Sequence, residues 1–315
     1  MRGWAFAVLM VVVVAAGLLL TRVVQNQYVY FAGYVVLQYI VLATAWNILG
    51  GYTGYVNFGS AAFFALGAYT SVVLIQLYSA PLPVLLVASC VVAAVLGLGL
   101  GYLTLRLRDV FFSIATLALT VVLQTFFVNW EYVGGARGIT VRRPATLAIF
   151  TSYVEFLFVV MLLLAVGAVA VAWCIERSWI GRGLTAIRDN EEAAECMGVP
   201  TLRLKLLATT ISGGLMGLAG SPFPYYVTFL EPSSAFNLDY AVNSLAMPMI
   251  GGTTTWVGPV IGAVLLGTAQ QLATVTISSA LNLLIVGVIL VAFVILAPEG
   301  LVGLVRRWLP RRRAA

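Results

Sequence analysis

Histidine is absent from the 315 residues of this chain, and lysine occurs once, at Lys205. The first absence excludes histidine metal sites, histidine acid–base catalysis and Ser-His-Asp triads. The second excludes a P-loop of the form G-x-x-x-x-G-K-[ST], because leucine precedes the single lysine. The three cysteines, Cys90, Cys174 and Cys196, lie far apart and predict neither a disulfide framework nor a metal cluster. We therefore expect no catalytic site, no metal and no cofactor bound by this chain.

Charge is also scarce, at 9% of the residues, whereas soluble domains carry about 25%. Hydrophobic residues make up 62% and the mean hydropathy is +1.05, so we predict an all-α polytopic membrane protein with about ten transmembrane helices in one domain, residues 1–315. The eighth and ninth runs are short and fit either two brief crossings or a re-entrant pair. The runs are Trp4–Leu20, Tyr28–Leu49, Val56–Leu77, Pro83–Leu105, Val110–Trp130, Phe150–Cys174, Leu204–Phe229, Tyr240–Gly251, Trp256–Leu272 and Ser279–Leu296.

The charge that is present concentrates in one segment, the charged island of residues 176–205, with five acidic and five basic side chains. With ten crossings and the amino terminus inside, 13 of the 17 basic residues share the side of the island and of the basic tail at 306–315. The positive-inside rule therefore predicts that the island and both termini are cytoplasmic, and explains the net charge of +6 without nucleic acid. No carboxylate clearly falls mid-span, Glu155 being the nearest, which argues against a proton- or sodium-driven carrier.

The island itself predicts a short helix over residues 190–197. A capping box between Asp189 and Glu192 would start this helix, and Gly198 in a left-handed conformation would end it. Its apolar face would consist of Ala193, Ala194 and Met197. A small apolar face rimmed by carboxylates suits docking into a groove on another protein. An ordinary cytoplasmic loop with a capped helical turn is the alternative.

Glycine interrupts the hydrophobic runs in two ways. The stretch 50–60 combines four glycines with hydroxyl and amide groups, which predicts a bent backbone at a membrane surface or along a polar cavity. Three pairs also match GxxxG, a spacing that permits close helix contact. Membrane helices are rich in glycine in any case, and we expect composition alone to explain most of these matches. The pairs are Gly97 with Gly101, Gly213 with Gly217, and Gly258 with Gly262.

Polar side chains within the apolar runs are candidates to line a solute path. Amides and hydroxyls with little fixed charge would suit a small solute that is neutral overall. The commoner alternative for each of them is a hydrogen bond between helices. The candidates for the path are Asn47, Asn57, Ser60, Gln124, Asn243 and Ser244. Further polar residues in these runs are Gln38, Asn129, Gln270 and Asn282.

Five motifs, in order along nearly the whole chain, resemble bacterial ABC-importer permeases of the LivM type, which belong to branched-chain amino acid uptake systems. The resemblance is specific for the permease class and its branched-chain amino acid/monosaccharide permease fold. It is less specific for the solute, because close relatives serve urea, amides and aromatic acids. The motifs are GYTGYVNFGSAAFFALGAYT (51–70), GGARGIT (134–140), GRGLTAIRDNEEAAECMG (181–198), PMIGGTTTWVGPVIGAVLL (248–266) and LAPEGLVGLVRRW (296–308).

The resemblance implies a non-enzymatic transport subunit of the bacterial inner membrane. Its implied partners are a paralogous LivH-type permease, two ATPase subunits that bind ATP and Mg²⁺, and a periplasmic binding protein. The implied cargo is a branched-chain or related neutral amino acid, with urea, short amides or aromatic acids as the alternative. From the residues alone, a stand-alone secondary transporter or channel is the competing class.

The charged island also resembles the EAA loop, through which many ABC permeases dock on their ATPase. Residues 192–194 and Gly198 match the E-A-A-x-x-x-G part of that loop, whereas the downstream I-x-L-P part is absent. The implied coupling residues are Arg188, Glu191, Glu192, Ala193, Ala194 and Gly198.

Overall fold

A computed structural model describes residues 3–24, 26–104, 110–144, 150, 152–276, 287–288 and 300–308. Nearly all of the regular structure in these ranges is helical, and two two-residue strands, β1 (Ile139–Thr140) and β2 (Phe229–Leu230), pair antiparallel. Short 3-10 turns cover Glu131–Val133 and Gly135–Arg137. Helices α1 to α14 are, in order, Gly3–Val23, Gln27–Thr53, Ser60–Tyr78, Leu82–Thr104, Val110–Val128, Tyr153–Arg177, Trp179–Asp189, Glu191–Cys196, Thr201–Gly220, Phe223–Val227, Pro232–Ala235, Leu238–Gly251, Val257–Thr276 and Gly300–Trp308.

In the described part of the chain, eight helical segments are long and apolar enough to cross a membrane. They are α1 to α6, α9 continued by α10, and α13. Helix α12 has 14 residues and spans about 21 Å, less than the roughly 30 Å of a bilayer core. It corresponds to the eighth run, which the sequence predicted to be short. The predicted last crossing, 279–296, lies outside the described residues except for 287–288. The all-α polytopic class is confirmed, and ten remains an approximate count.

Contacts at the helix ends show which segments lie together. At one end of the bundle, Ile139 of β1 pairs with Leu230 of β2. This pairing joins the loop before α6 to the loop after α10. At the other end, the backbone N–H of Trp256 donates to Glu176 Oε2 at 2.6 Å, and Phe6 stacks on Trp173. The start of α1, the end of α6 and the α12–α13 turn therefore lie at the island end. Helices α12 and α13 run in opposite directions between the two ends, as two crossings would.

The centre of the bundle is α9, which packs against α3 and α4 through glycine. A Cβ added at Gly217 would lie 2.3 Å from Ala93 Cβ on α4, and one at Gly67 on α3 would lie 2.0 Å from the Gly217 carbonyl oxygen. A Cβ at Gly262 would lie 1.8 Å from the Met247 carbonyl oxygen, so α12 and α13 meet just as closely. The expectation that composition explains most of the GxxxG pairs is wrong. The pair members at such contacts are Gly97, Gly213, Gly217, Gly258 and Gly262.

Replacing Gly67 with alanine tests this close packing. We expect the Gly67→Ala variant to lose about 1–3 kcal/mol of stability, because the added methyl group meets backbone atoms that cannot rotate away. The measurement is the temperature at which the detergent-solubilised protein loses its monodisperse peak in size-exclusion chromatography. The control is Gly167→Ala on α6, where nothing lies within 4 Å of the added Cβ. Equal thermal midpoints for both variants would contradict the packing.

Candidate functional site

Residues 54–59 form an extended segment between α2 and α3. Helix α2 ends at Gly54, whose φ of +82° is a left-handed conformation, and α3 begins only at Ser60. Burial alternates along the segment: Tyr55 and Asn57 point into the bundle, whereas Val56 is exposed. The predicted bend in the glycine-rich stretch is confirmed. The third crossing, which the sequence placed from Val56, starts four residues later because these residues are not helical.

Side chains from neighbouring helices supply hydrogen bonds to the backbone of the extended segment. Trp46 Nε1 donates to the Asn57 carbonyl oxygen at 2.8 Å, and the Phe58 N–H donates to Thr116 Oγ1 at 3.1 Å. Ser113 Oγ donates to the Val56 carbonyl oxygen at 2.9 Å. Sequence reasoning missed Ser113 and Thr116. Their spacing of three residues, which places both on one face of α5, was the available signal.

The extended segment leads into a buried set of hydroxyls and amides, the polar seam, consisting of Tyr39, Ser60, Asn243, Ser244 and Gln270. Ser244 Oγ donates to Ser60 Oγ at 2.8 Å. Asn243 Nδ2 donates to Tyr39 Oη at 3.2 Å, and Gln270 Nε2 donates to Asn243 Oδ1 at 2.8 Å. These bonds join α2, α3, α12 and α13, so the interhelical alternative describes what the residues do in this structure.

The remaining path candidates lie around the seam or apart from it. Asn57 is buried in the extended segment, and its Oδ1 accepts from the Gly59 N–H at 2.7 Å. Asn47 lies on α2, where its Oδ1 would be 1.9 Å from a Cβ at Gly51. Gln124 is half-buried on α5, and the structure does not bring it into the seam. A contact between solute and any of the six candidates stays a prediction.

The charged island forms helices α7 and α8, and the start of α8 differs from the prediction. Asn190, not Asp189, is the N-cap: its Oδ1 accepts from the Ala193 N–H at 2.9 Å. The predicted capping box at Asp189 is therefore wrong. The physical reason is that α7 continues through Asp189, so the extended residue between the two helices is Asn190. Gly198 has a φ of +83°, which confirms the predicted left-handed stop.

The predicted apolar face of α8 is divided between two sides of the helix. Ala194 is buried against the bundle, whereas Ala193 and Met197 point outward, with 85% of Met197 exposed. Glu191 and Ala194, three residues apart, lie on the inward side, whereas Ala193 lies on the outward side. Met197 is three residues after Ala194 but lies beyond the last residue of α8, and it points outward. The grouping of all three in one face was therefore wrong, because adjacent residues lie about 100° apart around a helix.

Glu191 joins α8 to the extended segment and to α9. Lys205 Nζ donates to Glu191 Oε1 at 2.6 Å, and Tyr55 Oη donates to Glu191 Oε2 at 2.6 Å. Lys205 Nζ also lies 3.1 Å from Tyr55 Oη and 4.7 Å from the centre of the tyrosine ring. Lys205 is only 3% exposed, whereas the Glu191 side chain is 21% exposed, so removing one partner costs less than the roughly 3–5 kcal/mol of a fully buried ion pair. This Tyr55–Glu191–Lys205 cluster was not anticipated from the sequence.

Two further charged residues at the island end join helices to each other. Arg188 Nη1 donates to the Gly51 carbonyl oxygen at 3.1 Å, which ties α7 to the end of α2. Glu176 Oε2 accepts from Tyr52 Oη at 3.3 Å as well as from the α12–α13 turn. An open groove of about 390 Å³ lies between the end of α2 and the α7–α8 turn. Its lining is polar and includes residues 53–55 and 187–192.

The family described as branched-chain amino acid transport system / permease component matches residues 28–294. The chain belongs to this family. Membership confirms that the permease is a multi-pass transport subunit and not an enzyme, and it confirms the resemblance to LivM-type permeases.

Several curated relatives are similar to the permease over most of its length. LivM of Escherichia coli is 28% identical, and the match covers 88% of this chain and 70% of that protein. LivM of Salmonella typhimurium is 29% identical, and the match covers 85% of this chain and 68% of that protein. A probable LivH permease of Methanocaldococcus jannaschii is 26% identical over 78% of this chain and 82% of that protein. The autoinducer 2 permease LsrC of Photorhabdus laumondii is 24% identical over 56% of this chain and 54% of that protein. No solved structure matches the chain.

The N-cap of α8 can be tested against the residue that the sequence favoured. We expect Asn190→Ala to speed amide hydrogen exchange in residues 191–197 about fivefold, because losing an N-cap costs about 1 kcal/mol of local stability. The control is Asp189→Ala, which should leave exchange in α8 unchanged. Peptide-level mass spectrometry measures both. If exchange in α8 were faster in the Asp189 variant and unchanged in the Asn190 variant, the capping box predicted from the sequence would be correct after all.

Proposed function

We propose that the permease is the membrane subunit of an ATP-driven importer for branched-chain or related neutral amino acids in the bacterial inner membrane. The LivM relatives support this cargo, because they match far more of the chain than the relative named for autoinducer 2. The polar seam also supports it, since hydroxyls and amides without net charge suit a solute that is neutral overall. Urea, short amides and aromatic acids remain the alternative cargo of the same importer class.

The assembly that we propose contains a LivH-type permease as a second membrane subunit, two ATPase subunits and a periplasmic binding protein. Similarity to both LivM and LivH permeases supports the pairing. ATP and Mg²⁺ would bind only the ATPase subunits. Both termini would be cytoplasmic, because the start of α1, the start of α14 and the island lie at one end of the bundle. In our topology that end also carries most of the basic residues.

The proposed coupling role rests on a single observation, the exposure of the outward side of α8. This side presents Ala193 and Met197 with the exposed carboxylates Glu192 and Glu195, while Ala194 and Glu191 hold the helix to the bundle. A short helix that is anchored on one side and exposed to solvent on the other is suited to a groove on an ATPase subunit. Closure of the ATPases on ATP would displace α8 and move the paired permeases between inward- and outward-facing states.

A double substitution on the outward side of α8 tests this docking. We expect Glu192→Lys combined with Ala193→Trp to lower leucine uptake at least about tenfold, the effect of losing an interface hot spot. The variant should still reach the membrane but should no longer capture the ATPase subunits on purification. The control is Glu131→Lys with Ala136→Trp, two exposed residues at the opposite end. Unchanged ATPase capture and uptake in the α8 variant would rule out docking there.

The cargo can be tested with the complete complex in proteoliposomes. We expect ATP-dependent uptake of labelled leucine that requires the binding protein and is inhibited by excess isoleucine or valine, since these side chains differ little in size and polarity. Excess urea or acetamide should leave leucine uptake unchanged. Uptake of labelled urea with no uptake of leucine would instead establish the alternative cargo. Uptake without ATPase subunits would establish a stand-alone transporter.

A further inference from the structure

The extended segment is attached to α8 on one side and to the polar seam on the other. Tyr55 reaches Glu191 of α8, and Ser60, five residues later, bonds to Ser244 in the seam. The segment has no helical hydrogen-bond ladder of its own, and it begins at Gly54 in a left-handed conformation. It can therefore shift without bending α2 or α3.

We propose that Tyr55 is a positioning residue that transmits displacement of α8 to residues 54–59, and thereby sets the amount of solute moved per ATP. This inference rests on the proposed function, because it requires that an ATPase displaces α8. The hydroxyl of Tyr55 is the direct link, since it donates to Glu191 at 2.6 Å, a short bond to a carboxylate. Hydrogen bonds to ionised groups are roughly twice as strong as neutral ones.

The contacts of the Tyr55 ring favour transmission of a displacement of α8 to the backbone of the extended segment. The ring packs edge-on against Phe112 of α5, with centroids 5.4 Å apart, and lies beneath the ammonium group of Lys205. A ring held on both sides moves as a unit with its backbone. Arg188 meanwhile ties α7 to the Gly51 carbonyl oxygen at the end of α2. A displacement of α8 relative to α7 therefore acts through Glu191 on the extended segment and on Lys205 of α9.

The alternating burial of the segment determines what such a movement does. Tyr55 and Asn57 face the bundle, whereas Val56 is exposed and Phe58 is half-buried on the opposite side. A pull on Tyr55 thus acts on Val56 and Phe58, whose backbone groups are hydrogen-bonded to Ser113 and Thr116 of α5. It also acts on Ser60 and its bond to Ser244 in the polar seam.

The test removes one oxygen atom and keeps the ring. In the complete complex in proteoliposomes, we expect Tyr55→Phe to lower the ratio of leucine imported to ATP hydrolysed at least about fivefold, the lower limit of typical coupling between sites. The control is Tyr28→Phe at the other end of α2, where the hydroxyl donates to the Gln271 carbonyl oxygen at 3.3 Å. This control should keep the wild-type ratio.

A second readout follows the segment itself, which a merely structural role of Tyr55 would not affect. In a background without Cys90, Cys174 and Cys196, we expect the thiol of Val56→Cys to react with maleimide at different rates in nucleotide-free and vanadate-trapped complexes. Adding Tyr55→Phe should abolish that difference. Glu191→Gln weakens the same link from the α8 side, because an uncharged amide oxygen accepts a weaker hydrogen bond than a carboxylate, and it should lower the ratio in the same direction.

The outcomes separate this inference from the proposed function. An assembled Tyr55→Phe or Glu191→Gln complex with the wild-type ratio, or a state-dependent thiol rate that survives Tyr55→Phe, would overturn the transmission role. The proposed function would still stand in that case. A wild-type complex that hydrolyses ATP but imports neither leucine nor a related neutral amino acid would overturn the proposed cargo instead.

Discussion

Every backbone polar group within a bilayer needs a hydrogen-bond partner, and this permease meets that requirement where its helices cannot. Between α2 and α3, where the helical hydrogen bonds are interrupted, Trp46, Ser113 and Thr116 supply three bonds to the backbone of residues 56–58 from α2 and α5. The bundle can contain non-helical backbone at this position because these side chains provide hydrogen-bond partners for it. One connection from the charged island to the polar seam runs along this segment.

The permease combines closely packed helices with a segment whose middle residues are held by hydrogen bonds from side chains. Helix α9 meets α3 and α4 so closely that Gly67 and Gly217 admit no side chain, and packed interfaces of this kind are not continuously deformable. The extended segment and α8 have no such packing and are joined by Glu191. A conformational change would therefore keep the α3–α4–α9 core intact and alter the contacts of residues 54–59.

The sequence was sufficient to predict the helical membrane class, most crossings, the charged island and a short helix within it. These features arise from local patterns, namely long apolar runs, charge density and glycine at helix ends. Asp189 was preferred over Asn190 as the N-cap because local pattern cannot show how far the preceding helix extends. The Tyr55–Lys205 contact joins residues 150 positions apart, and no periodicity within one element reports such a pair. The role of the seam residues in solute binding stays a prediction.

The distribution of charge bears on how the permease changes state. In the described spanning helices the charged side chains lie near the ends, as Glu155 does in the first turn of α6 and Lys205 in the second turn of α9. Carriers driven by protons or sodium commonly place ionisable groups at mid-membrane depth, where protonation or ion binding shifts the conformation. The ion pair between Glu191 and Lys205 lies instead near an end of α9, which it joins to α8. Under the proposed function, this is the end at which an ATPase subunit would push on α8.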